Sequence, residues 1–111
     1  MRDIEEEDYF HIRNIKENID VDKSINILTD RHIGIVTKNA YTYSAATGIA
    51  PSDLIKDAPF LVWKAAETFN PDKNSAFSSY LYNSSRFHFL NMTKAAAKNY
   101  YQTSTDPAEL Q

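Results

Sequence analysis

The stretch FNPDKNSAFSSYLYNSSRFHFLNM, residues 69–92, decides how this chain folds. Its first part, NPDKN, is a strong turn signal, because Asn, Pro and Asp favour turn conformations. The part after the turn mixes aromatic residues with serines and asparagines, and it contains Arg86 but no acid. A plain core helix would confine its apolar residues to one stripe, and a linker would not carry aromatics. The stretch therefore predicts a helix over about residues 75–101 with two different faces.

The two faces of this helix separate by angle, since each residue advances about 100° around the axis. The expected core face consists of Phe77, Leu81, His88, Met92 and Ala95, widened by Tyr82, Phe89 and Ala96. The second face combines rings, amides, a hydroxyl and ammonium groups, from Tyr80, Asn83, Ser84, Phe87, Asn91, Lys94 and Lys98. Aromatic rings stack on unpaired bases and lysines follow phosphates, so the second face suits single-stranded nucleic acid. Periodicity equally allows Tyr80 and Phe87 to pack under the N-terminal helix.

Three further helices are predicted upstream. They cover about residues 3–19, 23–46 and 53–69, and the second is expected to end at Gly48. Ser52 is expected to cap the third helix, and Pro59 in its second turn is expected to bend it. With short connections and two glycines in 111 residues, the predicted fold class is all-α, a small bundle of about four helices.

Charge is unevenly distributed along the chain. Residues 1–22 carry eight acidic and three basic residues, a net charge of −5, whereas residues 73–102 carry four basic residues and no acid. This pattern favours three segments: an acidic N-terminal helix or arm at 1–22, a helical domain at 23–102 and a polar tail at 103–111. The acidic run is interpreted either as a solvated helix start or as an arm that shields the basic helix from DNA.

Composition narrows the functional classes. The chain has no cysteine, which excludes disulfides and thiolate chemistry. No apolar run approaches the roughly 20 residues of a membrane span, and the acidic N-terminus is unlike a signal peptide, so a cytoplasmic protein without membrane contact is expected. His11, His32 and His88 are isolated, with no ligands at metal spacing. Neither a nucleophile elbow nor a phosphate-binding glycine loop occurs, so we expect a protein that is not an enzyme and holds no cofactor.

Residues 53–87, DLIKDAPFLVWKAAETFNPDKNSAFSSYLYNSSRF, resemble the core domain of sigma-70 family transcription initiation factors, which is called region 2. Asp53, Leu54 and Ile55 match the family's Asp-Leu-Ile-Gln-Glu opening, and Asp57 stands in for the Glu. Later family motifs are matched by residues 64–65, 69–71 and 77–80 and by Arg86. The similarity covers roughly residues 25–95, and it implies the helical fold of region 2 for most of the chain.

The resemblance also implies two sets of site residues. In that family one helix docks on the clamp helices of the largest subunit of RNA polymerase core, and the last helix captures the non-template single strand of the melted −10 promoter element. The implied polymerase-facing residues are Asp53, Lys56, Asp57, Phe60 and Trp63, although Trp63 is equally expected as a core residue. The implied DNA-facing residues, with the helix cations included, are Phe77, Ser79, Tyr80, Asn83, Ser84, Arg86, Phe87, Asn91, Lys94 and Lys98.

Departures from the family pattern affect the expected function. Asn83 and Ser84 replace the family's tryptophan pair, so the wedge at the upstream edge of the melted DNA is missing. Lys56 replaces the usual Gln and Pro59 the usual Asn. Within these 111 residues no helix-turn-helix module for a −35 element is expected. The chain is thus similar to the late sigma factors of T-even-like phages, which implies accessory transcription factors; a domain of a longer factor is the other interpretation.

Three functions are compatible with these observations. The favoured one is a sigma-like initiation factor that binds RNA polymerase core and opens a −10-type promoter. The second is a polymerase-binding interaction module, an inhibitor or a decoy, which makes no DNA contact; the loss of the tryptophan pair favours it. The third is a general single-strand binder, for which four cations are a weak basis.

Overall fold

The computed structural model describes the backbone of residues 2–73 and 76–104, and the side chains of residues 6–73 and 76–98. Within these ranges the fold is all-α, as predicted, and no strand is present. The helices are α1 (Arg2–Lys16), α2 (Val21–Thr47), α3 (Pro51–Ile55), α4 (Ala58–Thr68) and α5 (Phe77–Ser104). Two sequence predictions fall partly outside the described residues. Residue 75, at the predicted start of the last helix, and residues 105–111 of the predicted polar tail are not described.

Helix α1 is a packed element of the bundle. Ile12 and Ile15 are buried in the main core cluster, and Lys16 donates a hydrogen bond from its ammonium group to the carbonyl of Phe69. The helix ends at Lys16, three residues before the predicted end, because Asn18 (φ 61°) and Asp20 (φ 44°) adopt left-handed backbone. Asn and Asp tolerate this conformation better than most residues. The chain can therefore reverse direction and enter α2 within four residues.

Helix α2 is the longest element upstream of α5, and it ends where the sequence predicted. Gly48 at its C-terminus has φ 74°, and its backbone N–H donates to the carbonyl of Ser44. Glycine adopts this left-handed geometry without a steric penalty from Cβ. Within α2, His32 departs from helical geometry (φ −114°, ψ 15°), so the helix is kinked at this residue.

The predicted helix over residues 53–69 is two helices, α3 and α4, separated by Lys56 and Asp57. Pro59 occupies the second position of α4, where its missing N–H costs no intrahelical hydrogen bond. The proline was expected to bend a continuous helix; instead it lies at the beginning of a new one. The predicted cap at Ser52 is also wrong, because Pro51 is the first residue of α3 and Ala50 precedes it as the N-cap residue.

Helix α5 packs against both α2 and α4. Phe77 and Ser85 of α5 contact His32 and Asn39 of α2, so these two helices run parallel. Tyr80 contacts Thr68 of α4, and the later His88 contacts the earlier Phe60, so α4 and α5 are antiparallel. One buried cluster joins α1, α2, α4 and the beginning of α5, and a second joins α2, α3, α4 and Phe89. Both clusters use α5, and its free side faces outward beside α4.

A buried polar contact fixes the position of α5 against α2. The Asn39 amide donates to Ser85 Oγ (2.8 Å) and to the Tyr82 carbonyl (3.1 Å), and Ser85 Oγ in turn donates to the Leu81 carbonyl (2.8 Å). Burying a hydroxyl or an amide is unfavourable unless it is hydrogen-bonded. Here each group satisfies the other, and Ser85 can occupy the core face of α5 between Leu81 and Phe89.

Candidate functional site

A groove of about 280 Å³ runs between α4 and α5. Its α4 side is formed by Leu61, Lys64, Ala65 and Thr68, and its α5 side by Tyr80, Ser84, Phe87, His88 and Asn91. The lining thus combines aromatic rings, an amide, hydroxyls, an ammonium group and an imidazole. Four of the five α5 residues belong to the face that the sequence assigned to single-stranded nucleic acid. The structure brings these four together and adds a second wall from α4.

Tyr80 is held at the floor of the groove. Its ring lies 5.5 Å from the Phe69 ring in an edge-to-face arrangement, and its hydroxyl is 2.7 Å from Thr68 Oγ1. The ring is half-buried and packs against the main core cluster. Tyr80 therefore combines the two alternatives that periodicity left open, since part of the ring belongs to the core and part lines the groove.

Phe87 has the opposite character. Its side chain is 57 % exposed, although phenylalanine is usually among the most buried residues. It lies at the edge of the groove, two helical turns after Tyr80. The interpretation in which Phe87 packs under the N-terminal helix is wrong, because more than half of the side chain is in contact with solvent.

The remaining predicted DNA-facing residues occupy different environments. Phe77 is 1 % exposed and lies in the core between Phe69 and His32, so a DNA strand cannot contact it without opening the core. The prediction that Phe77 lies on the core face of the helix is confirmed. The DNA contact that the resemblance implies for Phe77 is not supported. The other members outside the groove lining are all exposed along α5: Ser79, Asn83, Arg86, Lys94 and Lys98.

The predicted polymerase-facing residues form one exposed surface across α3 and α4. Asp53 lies in α3 and Lys56 directly follows the end of that helix, and the two side chains form an ion pair of 3.1 Å. Phe60 and Trp63 are exposed on α4, with ring centroids 6.1 Å apart. Trp63 is 38 % exposed and so is not a core residue. Beside it, a shallow groove continues to the beginning of α2 and is lined by Asp22, Ile25, Asn26, Pro59, Phe60 and Trp63.

The two predicted surfaces meet at His88. Its Nε2 lies 3.4 Å from the Asp57 carboxylate, and its ring lies 6.2 Å from that of Phe60, while the same side chain lines the α4–α5 groove. Lys64 is also shared, because it lines the groove and its ammonium group lies 6.0 Å above the Phe60 ring. Sequence reasoning missed Lys64, Thr68 and His88 as groove residues. The wheel of α5 cannot reveal which face of α4 lies opposite.

The other two histidines serve the α1–α2 contact. His32 Nε2 donates to the buried Asp8 carboxylate (2.8 Å), as expected for a satisfied core histidine, and His11 Nδ1 lies 3.0 Å from Ser24 Oγ. Burial, followed by the nearby positive charge of Arg31, lowers the pKa of His11. Among the described residues there is no group of three or more His, Cys, Asp or Glu side chains that could hold a metal ion.

Comparison with known proteins agrees with this architecture. The family model for sigma-70 region 2 matches residues 28–106, which is more than half of the chain. The chain belongs to the sigma-70 region 2 family. No curated protein and no solved structure gives a match. The matched segment begins within α2 and includes α3, α4 and α5, so both predicted surfaces of this region 2 protein lie inside it.

Membership in the sigma-70 region 2 family sets the class of function. Region 2 is a non-catalytic part of transcription initiation factors that binds RNA polymerase core and takes part in promoter recognition. This agrees with the expectation that the chain is not an enzyme. None of the described helices has the length and apolar character needed to cross a membrane.

Proposed function

We propose that this chain is a transcription initiation factor that binds bacterial-type RNA polymerase core and captures the non-template strand of a −10-type promoter element as the DNA melts. Polymerase binding uses the surface of α3 and α4 that contains Asp53, Lys56, Asp57, Phe60 and Trp63. Strand capture uses the groove between α4 and α5 and the exposed face of α5. The chain would act in the cytoplasm of a bacterium or of a phage-infected host, with accessory transcription factors supplying contacts outside region 2.

The observation that carries the proposal is an exposed phenylalanine at a groove that also contains hydroxyl and amide side chains and one lysine, in a region 2 fold. Phe87 at 57 % exposure offers a ring face to an unstacked base. Ser84 and Asn91 line the same groove and can hydrogen-bond base edges, while Lys64 can contact a phosphate. Stacking, edge recognition and phosphate attraction are the three elements of single-strand binding, and this one groove carries side chains suited to each of them.

Further cations extend this surface. Lys94 and Lys98 follow Phe87 and Asn91 at three- and four-residue spacing on α5, and both are exposed. A strand leaving the groove along α5 would meet these two ammonium groups in succession. The exposed Arg86, Ser79 and Asn83 lie on α5 outside the groove lining and are proposed as phosphate or base contacts of secondary importance.

The alternative is an interaction module that binds polymerase and makes no DNA contact. Two observations favour it: Asn83 and Ser84 stand where the family has its tryptophan pair, and part of the Tyr80 ring is used by the core. Both functions require the α3–α4 surface, so polymerase binding does not separate them. The response of single-strand affinity to substitutions in the groove does.

Polymerase docking is tested by charge reversal of Asp53 and Asp57 together. The Asp53 side chain is 56 % exposed and the Asp57 side chain 44 %, and their side-chain partners are Lys56 and His88. The double substitution to Lys should therefore change the free energy of unfolding by no more than about 1 kcal/mol. Co-purification with bacterial RNA polymerase core should be lost, as should transcription from duplex and pre-melted templates.

A matched control changes charge equally at a different place. Asp30 on α2 and Asp72 in the turn before α5 are both exposed, and their double substitution to Lys shifts the net charge by the same amount. This control should bind polymerase like the unaltered protein. Retained polymerase binding by the Asp53/Asp57 variant would contradict the proposed docking surface.

A further inference from the structure

We propose that His88 is a phosphate contact of the α4–α5 groove in its protonated form, so that capture of a single strand by this protein strengthens as the pH falls. The inference rests on the proposed nucleic-acid function of the groove. It adds His88 as a contact residue and a dependence of strand affinity on pH. Protonation turns a neutral histidine ring into a cation with two N–H donors, and His88 lines the groove.

The imidazole is held in place before any ligand arrives. Its Nε2 lies 3.4 Å from Asp57 Oδ2, its ring is 6.2 Å from the Phe60 ring, and its edge-to-face neighbour Phe89 is 5.4 Å away on the core side. The side chain is nevertheless 28 % exposed, and it lines the groove. A ring that is already restrained loses little conformational entropy on binding, so its contact with a ligand costs less than that of a free side chain.

Protonation changes what the ring can do. A neutral imidazole has one N–H donor and one acceptor nitrogen, and the acceptor would repel a phosphate oxygen. When Nε2 donates to Asp57, the other nitrogen becomes a donor only after a proton binds. Protonated His88 therefore keeps its contact with Asp57 and gains a charged N–H donor for a phosphate, which makes a shorter and stronger hydrogen bond than a neutral donor does.

Among the described residues, few other charged side chains surround His88, so its protonation changes the charge of the groove substantially. The titratable and charged groups that face it are the Asp57 carboxylate between α3 and α4, the Lys64 ammonium group on α4 and the Tyr80 phenol on α5. Among the described residues that line the groove, Lys64 is the one with a permanent positive charge. Protonation of His88 thus raises the number of cationic side chains that line the groove from one to two.

The experiment measures binding of the full chain to a short single-stranded DNA labelled with a rhodamine dye, whose emission does not depend on pH in this range. Titrations are done at pH 5.8 and pH 8.0 over a salt series, with the unaltered protein, His88→Gln and the control His11→Gln. His11 is partly buried at the α1–α2 contact, where its Nδ1 lies 3.0 Å from Ser24 Oγ, and it is not among the residues that line the groove. Thermal melts at both pH values establish that each variant is folded.

For the unaltered protein and for His11→Gln we expect roughly tenfold tighter binding at pH 5.8, the contribution of about one charge-assisted hydrogen bond. The slope of log affinity against log salt should be steeper at pH 5.8 by about 0.7, the value for one additional phosphate contact on a single strand. His88→Gln should bind with the same affinity and slope at both pH values.

A second measurement needs no substitution. The imidazole proton resonances of the three histidines are followed by NMR as a function of pH, with and without the oligonucleotide. If a phosphate binds protonated His88, the midpoint of its titration must move to higher pH by reciprocal linkage, while the midpoint of His11 stays in place.

The outcomes separate this inference from the function on which it rests. Single-strand binding that keeps its pH dependence in His88→Gln, or a His88 titration unmoved by the oligonucleotide, would overturn the role of His88 and leave the groove as a strand site. Absence of single-strand binding at both pH values, also in the polymerase complex, would overturn the groove function and the His88 contact with it.

Discussion

Asp8 belongs to the acidic run near the N-terminus, but it is buried and contributes to the packing of α1 on α2. Its carboxylate is 3 % exposed and accepts hydrogen bonds from Arg31 (3.0 Å) and His32 (2.8 Å), both of α2. The neighbouring Glu7 contacts the same Arg31 (2.7 Å) but is exposed. A buried carboxylate that is removed leaves its partners without compensation in a low-dielectric site, whereas an exposed one is replaced by water.

These adjacent acids make a matched pair for mutagenesis. Asp8→Ala should lower the free energy of unfolding by about 3 kcal/mol, because the buried His32 loses its acceptor and Arg31 loses one of its carboxylates. Glu7→Ala should change it by less than about 1 kcal/mol, the usual worth of an exposed ion pair. Urea unfolding of both variants checks this, and equal losses for the two would contradict the structural role of Asp8.

Single residues differ in how far the sequence reveals them. Phe77 and Leu81 follow from apolar spacing, and both are buried. Asp8 does not, because an acid at the beginning of a helix is normally solvated, and its burial depends on which residues of α2 lie opposite. Angle placed Phe87 on the second face of the helix and left open whether it packs under the N-terminal helix; in the structure it is exposed.

Helix α5 has a core face and an exposed face, and the core face is narrower than its apolar pattern predicts. Phe77, Leu81 and Phe89 are buried at four-residue spacing, with Ser85 between them. Tyr82, expected at the edge of the core, is 39 % exposed instead. Ser85 can be buried between Leu81 and Phe89 because the Asn39 amide of α2 gives its hydroxyl a hydrogen-bond partner.

A helix boundary was predictable from sequence where one residue's backbone preference determines it. It was less predictable where several residues and their packing determine it together. Gly48 ends α2 by its own backbone preference, and the sequence is sufficient to locate it. The boundary between α3 and α4 depends on Pro51, Pro59 and the packing of Leu54, Ala58 and Leu61 into the second core cluster. Two prolines eight residues apart favour two helix starts, a consequence that the apolar periodicity of residues 54–69 conceals.

The contact between α1 and α2 should make the stability of the fold depend on pH through His11. Burial and then Arg31 lower the pKa of this residue below its ordinary 6.5, so the folded protein binds the proton less tightly than the unfolded chain does. The stability that neutral His11 contributes is thus present above pH 6.5 and is lost as the pH falls towards the lower pKa of the folded state.

The measurement compares the free energy of unfolding at pH 7.5 and 5.5 in the unaltered protein and in His11→Gln. The unaltered protein should lose more stability between the two pH values than the variant does, because glutamine cannot take up a proton. The difference between the two losses isolates His11 from the carboxylates and from His32. An identical loss in both proteins would contradict the lowered pKa of His11.

For the molecule as a whole, the charge split between the two ends does not translate into a free acidic arm in the structure. The α1 helix supplies Ile12 and Ile15 to the main core cluster and is fixed to α2 through Asp8 and His11. Shielding of the basic helix by the acidic N-terminus stays a prediction. Its test must neutralise exposed acids such as Glu6 and Glu17 rather than delete residues 1–20, since deletion would remove core side chains.

The all-α class and the region 2 family were predictable because they depend on local patterns that run along the chain. The relation between the two predicted surfaces was not, because it depends on the antiparallel arrangement of α4 and α5. That arrangement places His88 next to Asp57, and it places Lys64 in the same groove as Phe87. In both cases more than twenty residues of sequence separate the two side chains. The residues proposed to face polymerase and those proposed to face the strand therefore adjoin each other at His88 and Lys64.

The central claim, that the α4–α5 groove captures a single strand, is tested most directly at Phe87. The measurement is the affinity of the polymerase complex for a non-template-strand oligonucleotide, with Phe87→Ala beside Phe10→Ala. Phe10 on α1 is 58 % exposed and Phe87 57 %, so neither truncation should change the thermal unfolding of the protein appreciably. Phe87→Ala should weaken oligonucleotide binding by about 1–3 kcal/mol, the contribution of one base stacked on a ring, while Phe10→Ala should leave it unchanged. Equal affinities of Phe87→Ala, Phe10→Ala and the unaltered protein, with polymerase binding intact, would contradict strand capture and favour the interaction module without DNA contact.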